Sequence, residues 1–251
     1  MTDHQTSDNS FVSYSFLKSA AALLGLWLVL LVGGLAVARL LPDASGSTLG
    51  TVGRLGSSLV LVLLAILAWM QVGQRTQSYA LLIATGMILG TVGDFFNANQ
   101  LQFIPLPDPV LGAIVAFGIG HIFYMIGLVG LLKRCATRSF SKILWSIIFW
   151  QLVGLAGWYW IVYEAPQRSA LTFPALGYCL LLAGTAGLAT AAACHYRSLW
   201  PLALGAALAG MMMTGFPLHQ TSITGLIIAL GLLIDNAIVV VDEYSGLLDE
   251  G

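Results

Sequence analysis

The chain has 251 residues, of which 58% are hydrophobic and 8% are charged, whereas roughly a quarter of the residues in a soluble domain are charged. Its formal net charge is −1, and no cluster of basic residues is longer than the pair Lys133-Arg134. This composition excludes the basic surface that nucleic-acid binding requires, and it is typical of a chain that lies in lipid.

Eight segments have the length and apolar character of membrane-spanning helices, which need about 20 mostly apolar residues. The breaks between them are short and contain proline, glycine or polar residues, so they leave no room for a soluble domain. We therefore predict an all-α, polytopic membrane helix bundle with spans at residues 19–38, 56–73, 78–97, 110–132, 141–162, 172–194, 199–216 and 221–241.

Lys and Arg are distributed unequally between the two sides of this topology. The polar tail 1–18 and every second loop lie on one side of the membrane and contain most of the basic residues. The other side has only Arg39, Arg54 and Arg168. Because cytoplasmic loops are enriched in Lys and Arg, we expect both termini in the cytoplasm and the chain in the cell (inner) membrane. The basic residues on that side are Lys18, Arg75, Lys133, Arg134, Arg138, Lys142 and Arg197.

Familiar catalytic and metal-binding motifs are absent from the sequence. The three cysteines, Cys135, Cys179 and Cys194, follow no metal-ligand spacing, so we expect neither zinc nor disulfides. There is no Gly-x-Ser-x-Gly, His-Glu-x-x-His or P-loop sequence. Serine-hydrolase, zinc-protease and nucleotide-hydrolysing functions therefore have no support.

Of the carboxylates, only Asp94 and Asp235 lie inside predicted spans, and of the histidines only His121 lies near the middle of one. An ionisable group at that depth costs a few kcal/mol on insertion, so it needs a partner or a water-filled cavity and is a candidate functional residue. The alternative is a hydrogen bond that only packs helices together. His121 and Tyr124 are three residues apart and project from one face of the fourth span.

The third and fourth spans are joined by a short loop, so we expect them to be antiparallel neighbours. Asp94 then approaches His121 and Tyr124 across their contact, although Asp94 is predicted nearer the end of its helix and His121 nearer mid-membrane. A carboxylic acid in apolar surroundings, with an imidazole or phenol nearby, can serve as an acid near neutral pH.

The run Met87-Ile88-Leu89-Gly90-Thr91-Val92-Gly93-Asp94, a proline-containing loop and then Phe117-x3-His121-x2-Tyr124 resemble the YhhN-type lysoplasmalogenases. The resemblance continues more weakly through Tyr178 to Leu204-Gly205-Ala206-Ala207. It implies a hydrolase of ether-lipid metabolism that cleaves the vinyl ether bond of lysoplasmalogen. The products would be an aldehyde and a glycerophospho-alcohol.

This reaction needs an acid and then a base. The resemblance implies Asp94 as proton donor or stabiliser of the cation, His121 as the group that positions or activates water, and Tyr124 as the group that orients either one. It implies no cofactor and no metal, and its partners are a lysophospholipid substrate and membrane lipids.

The resemblance ends after Gly205-Ala206-Ala207-Leu208, where a family member continues with Phe and then Ser-Asp, and this chain has Ala209 to Thr214 instead. From Thr214 to Glu243 the sequence resembles the proton-relay helix of resistance-nodulation-division efflux transporters, with Asp235 at the relay position. We therefore divide the chain into a polar cytoplasmic tail (1–18), a YhhN-like bundle (19–207) and a divergent transmembrane hairpin (208–251).

Two alternatives to the hydrolase remain open. One is a small proton-linked membrane transport component centred on Asp235, and the other is an inactive hybrid that inserts into the membrane but has no substrate. Asp235 is also a possible additional catalytic residue, in place of the aspartate that the altered seventh span lacks. Its other interpretation is a residue with no role, because catalytic geometry is held tightly.

Overall fold

A computed structural model describes residues 14–41, 44–71, 74–134, 140–164 and 170–195. Within these ranges the chain forms helices and no strands: α1 (Tyr14–Leu40), α2 (Ala44–Gln71), α3 (Gln74–Asn97), α4 (Pro109–Arg134), α5 (Phe140–Trp158), continued by a π-helical turn (Tyr159–Tyr163), and α6 (Thr172–His195). All six are long and apolar enough to cross a membrane. The all-α, multi-pass fold is confirmed, and the seventh and eighth predicted spans and the boundary after residue 207 lie outside the described residues.

The six helices pack as three consecutive hairpins. α1 packs on α2, α3 on α4, and α5 on α6, while contacts of α2 with α3 and of α4 with α6 join the hairpins to each other. Polar side chains that are buried within the described ranges include Ser57, Ser58, Asp94 and His121, on the inner helices α2, α3 and α4. Many large apolar side chains are exposed, as expected of helix faces that contact lipid.

Helix α2 begins twelve residues earlier than the span predicted at 56–73, because it starts at Ala44. The reason is a close contact with α1 through glycines. A Cβ added to Gly53 would lie 2.7 Å from the Gly34 Cα, and one added to Gly50 would lie 2.6 Å from the Ala38 Cβ. Small residues let helix backbones approach closely in a membrane. The stretch predicted as a polar break is therefore helical, and it places Arg54 inside α2.

Hydrogen bonds mark both the end of α3 and the start of α4. Asn99 adopts a left-handed conformation (φ 55°), and the Gln100 and Asn99 amides donate to the Phe95 and Phe96 carbonyls at 2.9 Å each. This is the Schellman pattern that ends a helix. Asp108 Oδ1 accepts from the Val110 amide at 2.8 Å and caps α4, which starts at Pro109. Asp94 therefore lies in the last turn of α3.

Candidate active site

Asp94 is 2% exposed, and its carboxylate meets α2. Ser58 Oγ donates a hydrogen bond to Asp94 Oδ2 at 2.6 Å. Ser58 Oγ also lies 3.3 Å from the Arg54 carbonyl oxygen, one helical turn back along α2. The Ser58 hydroxyl therefore has two acceptors within reach.

The neighbouring residue, Ser57, is equally buried but has a different partner. Both serines are 0% exposed. Ser57 Oγ donates to the Arg54 carbonyl at 2.6 Å, within its own helix. The two serines thus differ in a single respect that matters here: Ser58 contacts Asp94.

Close contacts at glycines of α3 and α4 determine which residues of the two helices lie at the same level. A Cβ on Gly93 would lie 2.8 Å from Phe117 Cε1, and one on Gly86 would overlap the Tyr124 ring. A Cβ on Gly120 would lie 3.0 Å from the Gly86 carbonyl oxygen and 3.6 Å from the Gly90 nitrogen. Asp94 is thus level with Phe117, and His121 follows Phe117 by one turn, which is about 6 Å along the axis.

His121 is 4% exposed, and its Nδ1 lies 3.1 Å from Thr185 Oγ1 on α6. The Thr185 hydroxyl donates its one proton to the Leu181 carbonyl at 3.0 Å. With that proton on the Leu181 carbonyl, Thr185 Oγ1 accepts from a protonated Nδ1 of His121. In the neutral imidazole this leaves Nε2 as the nitrogen with a free lone pair.

Two tyrosine rings contact this imidazole, and a phenylalanine ring contacts one of them. The His121 ring centroid lies 5.6 Å from that of Tyr124 and 5.7 Å from that of Tyr178, both in edge-on geometry. Tyr178 also lies 6.1 Å from Phe117. The Tyr124 hydroxyl donates to Met87 Sδ at 3.2 Å, which ties α4 to α3 beside the site.

The structure thus brings His121 and Tyr124 into contact and places Asp94 about one turn away along the α3–α4 interface. Asp235 lies outside the described residues. The sequence pattern predicts no role for Ser58 or Thr185, and it indicates Tyr178 only through the family resemblance. The sequence signal available for Ser58 is its four-residue spacing from Arg54, which places both on one face of α2.

Other possible sites in the described part of the chain lack the groups for this chemistry. No three His, Cys, Asp or Glu side chains come together there as metal ligands. An apolar groove of about 500 Å³ lies on α5 and its π-helical turn, and none of the candidate residues lines it.

Comparison with known proteins gives two family matches. Residues 55–213 match the YhhN family, and residues 188–250 match the AcrB/AcrD/AcrF family. The first match contains Ser58, Asp94, His121, Tyr124 and Thr185, and the second contains Asp235. No curated protein and no solved structure matches the chain.

Proposed function

Because the chain belongs to the YhhN family, we propose that it is a lysoplasmalogenase-like hydrolase, which cleaves the vinyl ether bond of lysoplasmalogen within the membrane. The observation that carries the proposal is the buried Asp94 carboxyl group, bonded to Ser58 and one turn from a buried imidazole. Vinyl ether hydrolysis needs an acid that protonates one carbon of the double bond. It also needs a group that activates water for attack on the adjacent carbon. Asp94 and His121 supply these two groups.

Asp94 is the proton donor. It protonates the vinyl carbon remote from oxygen, and the adjacent carbon becomes an oxocarbenium ion. The Ser58 hydroxyl suits this role because it can donate to the ionised carboxylate, or turn its proton to the Arg54 carbonyl and accept from the protonated one. The contact therefore persists in both protonation states of Asp94.

His121 activates the water that captures the cation. Its Nδ1 proton is held by Thr185, so Nε2 is the atom that accepts a proton from water. When the resulting hemiacetal collapses, protonated His121 gives its proton to the departing glycerol oxygen and the Asp94 carboxylate takes the proton of the hemiacetal hydroxyl. The aldehyde and the glycerophospho-alcohol are released, one water is consumed, and both residues return to their starting states. Inverting glycosidases, which also combine an acid with a water-activating base at an oxocarbenium-like centre, have their two carboxyl groups roughly 6.5–9.5 Å apart to admit the water. An axial offset of about one turn suits such an arrangement.

Tyr124 has a positioning role, because its ring lies against His121 and its hydroxyl is engaged by Met87. Tyr178 also contacts the imidazole group, from α6. Together with Thr185, the two rings hold the imidazole in one orientation. The apolar surfaces of the bundle suit a substrate whose single alkenyl chain enters from the bilayer.

The test is aldehyde release from lysoplasmalogen by purified protein in detergent, with Asp94→Asn beside the wild type. We expect the substitution to lower the rate by at least about 100-fold, because a positioned acid contributes roughly 100-fold or more. Asp108→Asn is the matched control, since it makes the same change at a helix cap where Asn serves equally well. No aldehyde from folded wild-type protein, or equal rates for Asp94→Asn and wild type, would refute the proposal.

A further inference from the structure

Arg54 is a partly exposed cation on the same face of α2 as Ser58, four residues away. Its Nη2 donates to Thr51 Oγ1 at 3.3 Å, and within the described residues it forms no ion pair with a carboxylate. The Thr51 hydroxyl proton is given to the Ser47 carbonyl at 3.1 Å. A guanidinium has five N–H donors in a planar fork, so most of them remain available to a ligand.

The neighbouring helix α3 ends at the level of Arg54. Ser58 is level with Asp94, in the last turn of α3, so Arg54 is level with the end of that helix at Asn97. Asn97 is also the last residue of the candidate membrane span Gln77–Asn97. Arg54 is therefore level with the end of the α3 span and eight residues after the start of the α2 span Gly46–Gln71, and its guanidinium points toward the start of that span, at Thr51.

We propose that Arg54 binds the phosphate diester of the lysophospholipid substrate. This inference rests on the proposed function and adds the residue that recognises the substrate's charged end. Arg pairs with phosphate through parallel charge-assisted hydrogen bonds. The bound phosphate then anchors the glycerol, so that the vinyl ether extends further into the membrane and reaches Asp94.

The lengths agree. The guanidinium is held beside Thr51, and Thr51 and Ser58 are seven residues apart on one face, which is about 10 Å along the helix. In lysoplasmalogen, seven covalent bonds separate the phosphorus from the vinyl carbon that accepts the proton, about 9 Å when extended. A phosphate on Arg54 thus places that carbon beside the carboxyl group bonded to Ser58. Because Arg54 contacts the phosphate, choline and ethanolamine substrates are bound alike.

The experiment compares Arg54→Gln, Arg54→Lys and wild type on lysoplasmalogen and on a neutral 1-alkenylglycerol without phosphate. We expect Arg54→Gln to raise KM for lysoplasmalogen about tenfold or more with little change in kcat, and Arg54→Lys to fall between the two. On the neutral lipid, Arg54→Gln and wild type have equal kcat/KM. Arg39→Gln, which removes an exposed charge near the end of α1, is the matched control and leaves both substrates unaffected.

An equal loss on both substrates would overturn the inference, because it would mean that Arg54 supports the structure and not the phosphate. An unchanged KM for lysoplasmalogen would overturn it as well. A second measurement separates this inference from the proposed function: binding of a saturated 1-alkyl lysophosphocholine, which cannot be hydrolysed at this position. Weaker binding by Arg54→Gln than by wild type supports the phosphate site even if no aldehyde is ever released, and equal binding refutes it.

Discussion

The Ser58 hydroxyl on α2 and the Asp94 carboxylate on α3 form a 2.6 Å hydrogen bond between two buried residues of different hairpins. The adjacent Ser57 is equally buried, and its hydroxyl donates to the Arg54 carbonyl of the same helix. The chain therefore contains a matched pair for separating the support of Asp94 from the general effect of removing a buried hydroxyl.

We predict that Ser58→Ala lowers kcat for aldehyde release about 10-fold to 100-fold. A hydrogen bond to a charged group contributes roughly 1.5–3 kcal/mol, and each 1.36 kcal/mol corresponds to a factor of about ten in rate. Ser57→Ala should change kcat less than about threefold, because it removes only an intrahelical bond to a carbonyl. Steady-state rates of both variants in the same detergent test this, and equal losses would show that Ser58 has no special relation to the acid.

Thr185 provides a prediction about the state of His121. Thr185→Val keeps the shape of the side chain but removes the acceptor for Nδ1, so the imidazole is free to change tautomer and kcat should fall about tenfold or more. Thr185→Ser should restore most of the activity. Thr190→Val is the control, because Thr190 accepts from Trp150 Nε1 at 2.9 Å on the α5 side. That variant should lose roughly 1–3 kcal/mol of stability but keep its kcat.

Gly86→Ala tests the packing of Tyr124. The added methyl group overlaps the Tyr124 ring, so the ring or the helix must move, and overpacking of this kind costs about 1–3 kcal/mol. We expect a lower thermal midpoint in detergent and reduced activity. Gly130→Ala on α4 meets nothing within 4 Å and should be neutral or slightly stabilising, since Ala favours helix over Gly. A midpoint for Gly86→Ala at or above that of Gly130→Ala would contradict the described packing.

The match of residues 188–250 to the AcrB/AcrD/AcrF family gives Asp235 its own test. Under the proposed function, Asp235→Asn retains aldehyde release, whereas Asp94→Asn abolishes it. If Asp235→Asn also abolishes release, Asp235 is an additional catalytic residue. Proton-coupled flux in proteoliposomes that is lost in Asp235→Asn and kept in Asp94→Asn would favour the transport component over the hydrolase.

Apolar length predicts the first six spans, because a spanning helix must satisfy its backbone internally over about 20 residues. It does not predict the start of α2. Gly46, Gly50 and Gly53 lower helix propensity and are typical of a loop when read locally. Gly50 and Gly53 lie against Gly34 on α1, and a contact with another helix is not visible in local composition.

The grouping of Asp94, His121 and Tyr124 follows from the sequence because ionisable groups are rare in spans and the α3–α4 loop is short. The hydroxyl partners do not follow from it. Thr85 and Thr91 bond to carbonyls four residues back on their own helix, as serine and threonine commonly do in spans. Ser58 has the same local pattern with Arg54. Only the position of α3 across the interface distinguishes it.

The candidate site draws its groups from three hairpins: Ser58 and Arg54 from α1–α2, Asp94 and His121 from α3–α4, and Thr185 from α5–α6. In a membrane, insertion of each helix is a separate stage from the association of helices with one another. A chain whose hairpins are all inserted but not yet associated therefore has every residue at its proper depth and no complete site. Under the proposed function, aldehyde release is therefore expected to measure lateral assembly, and it can be followed independently of insertion when the protein is refolded into bilayers.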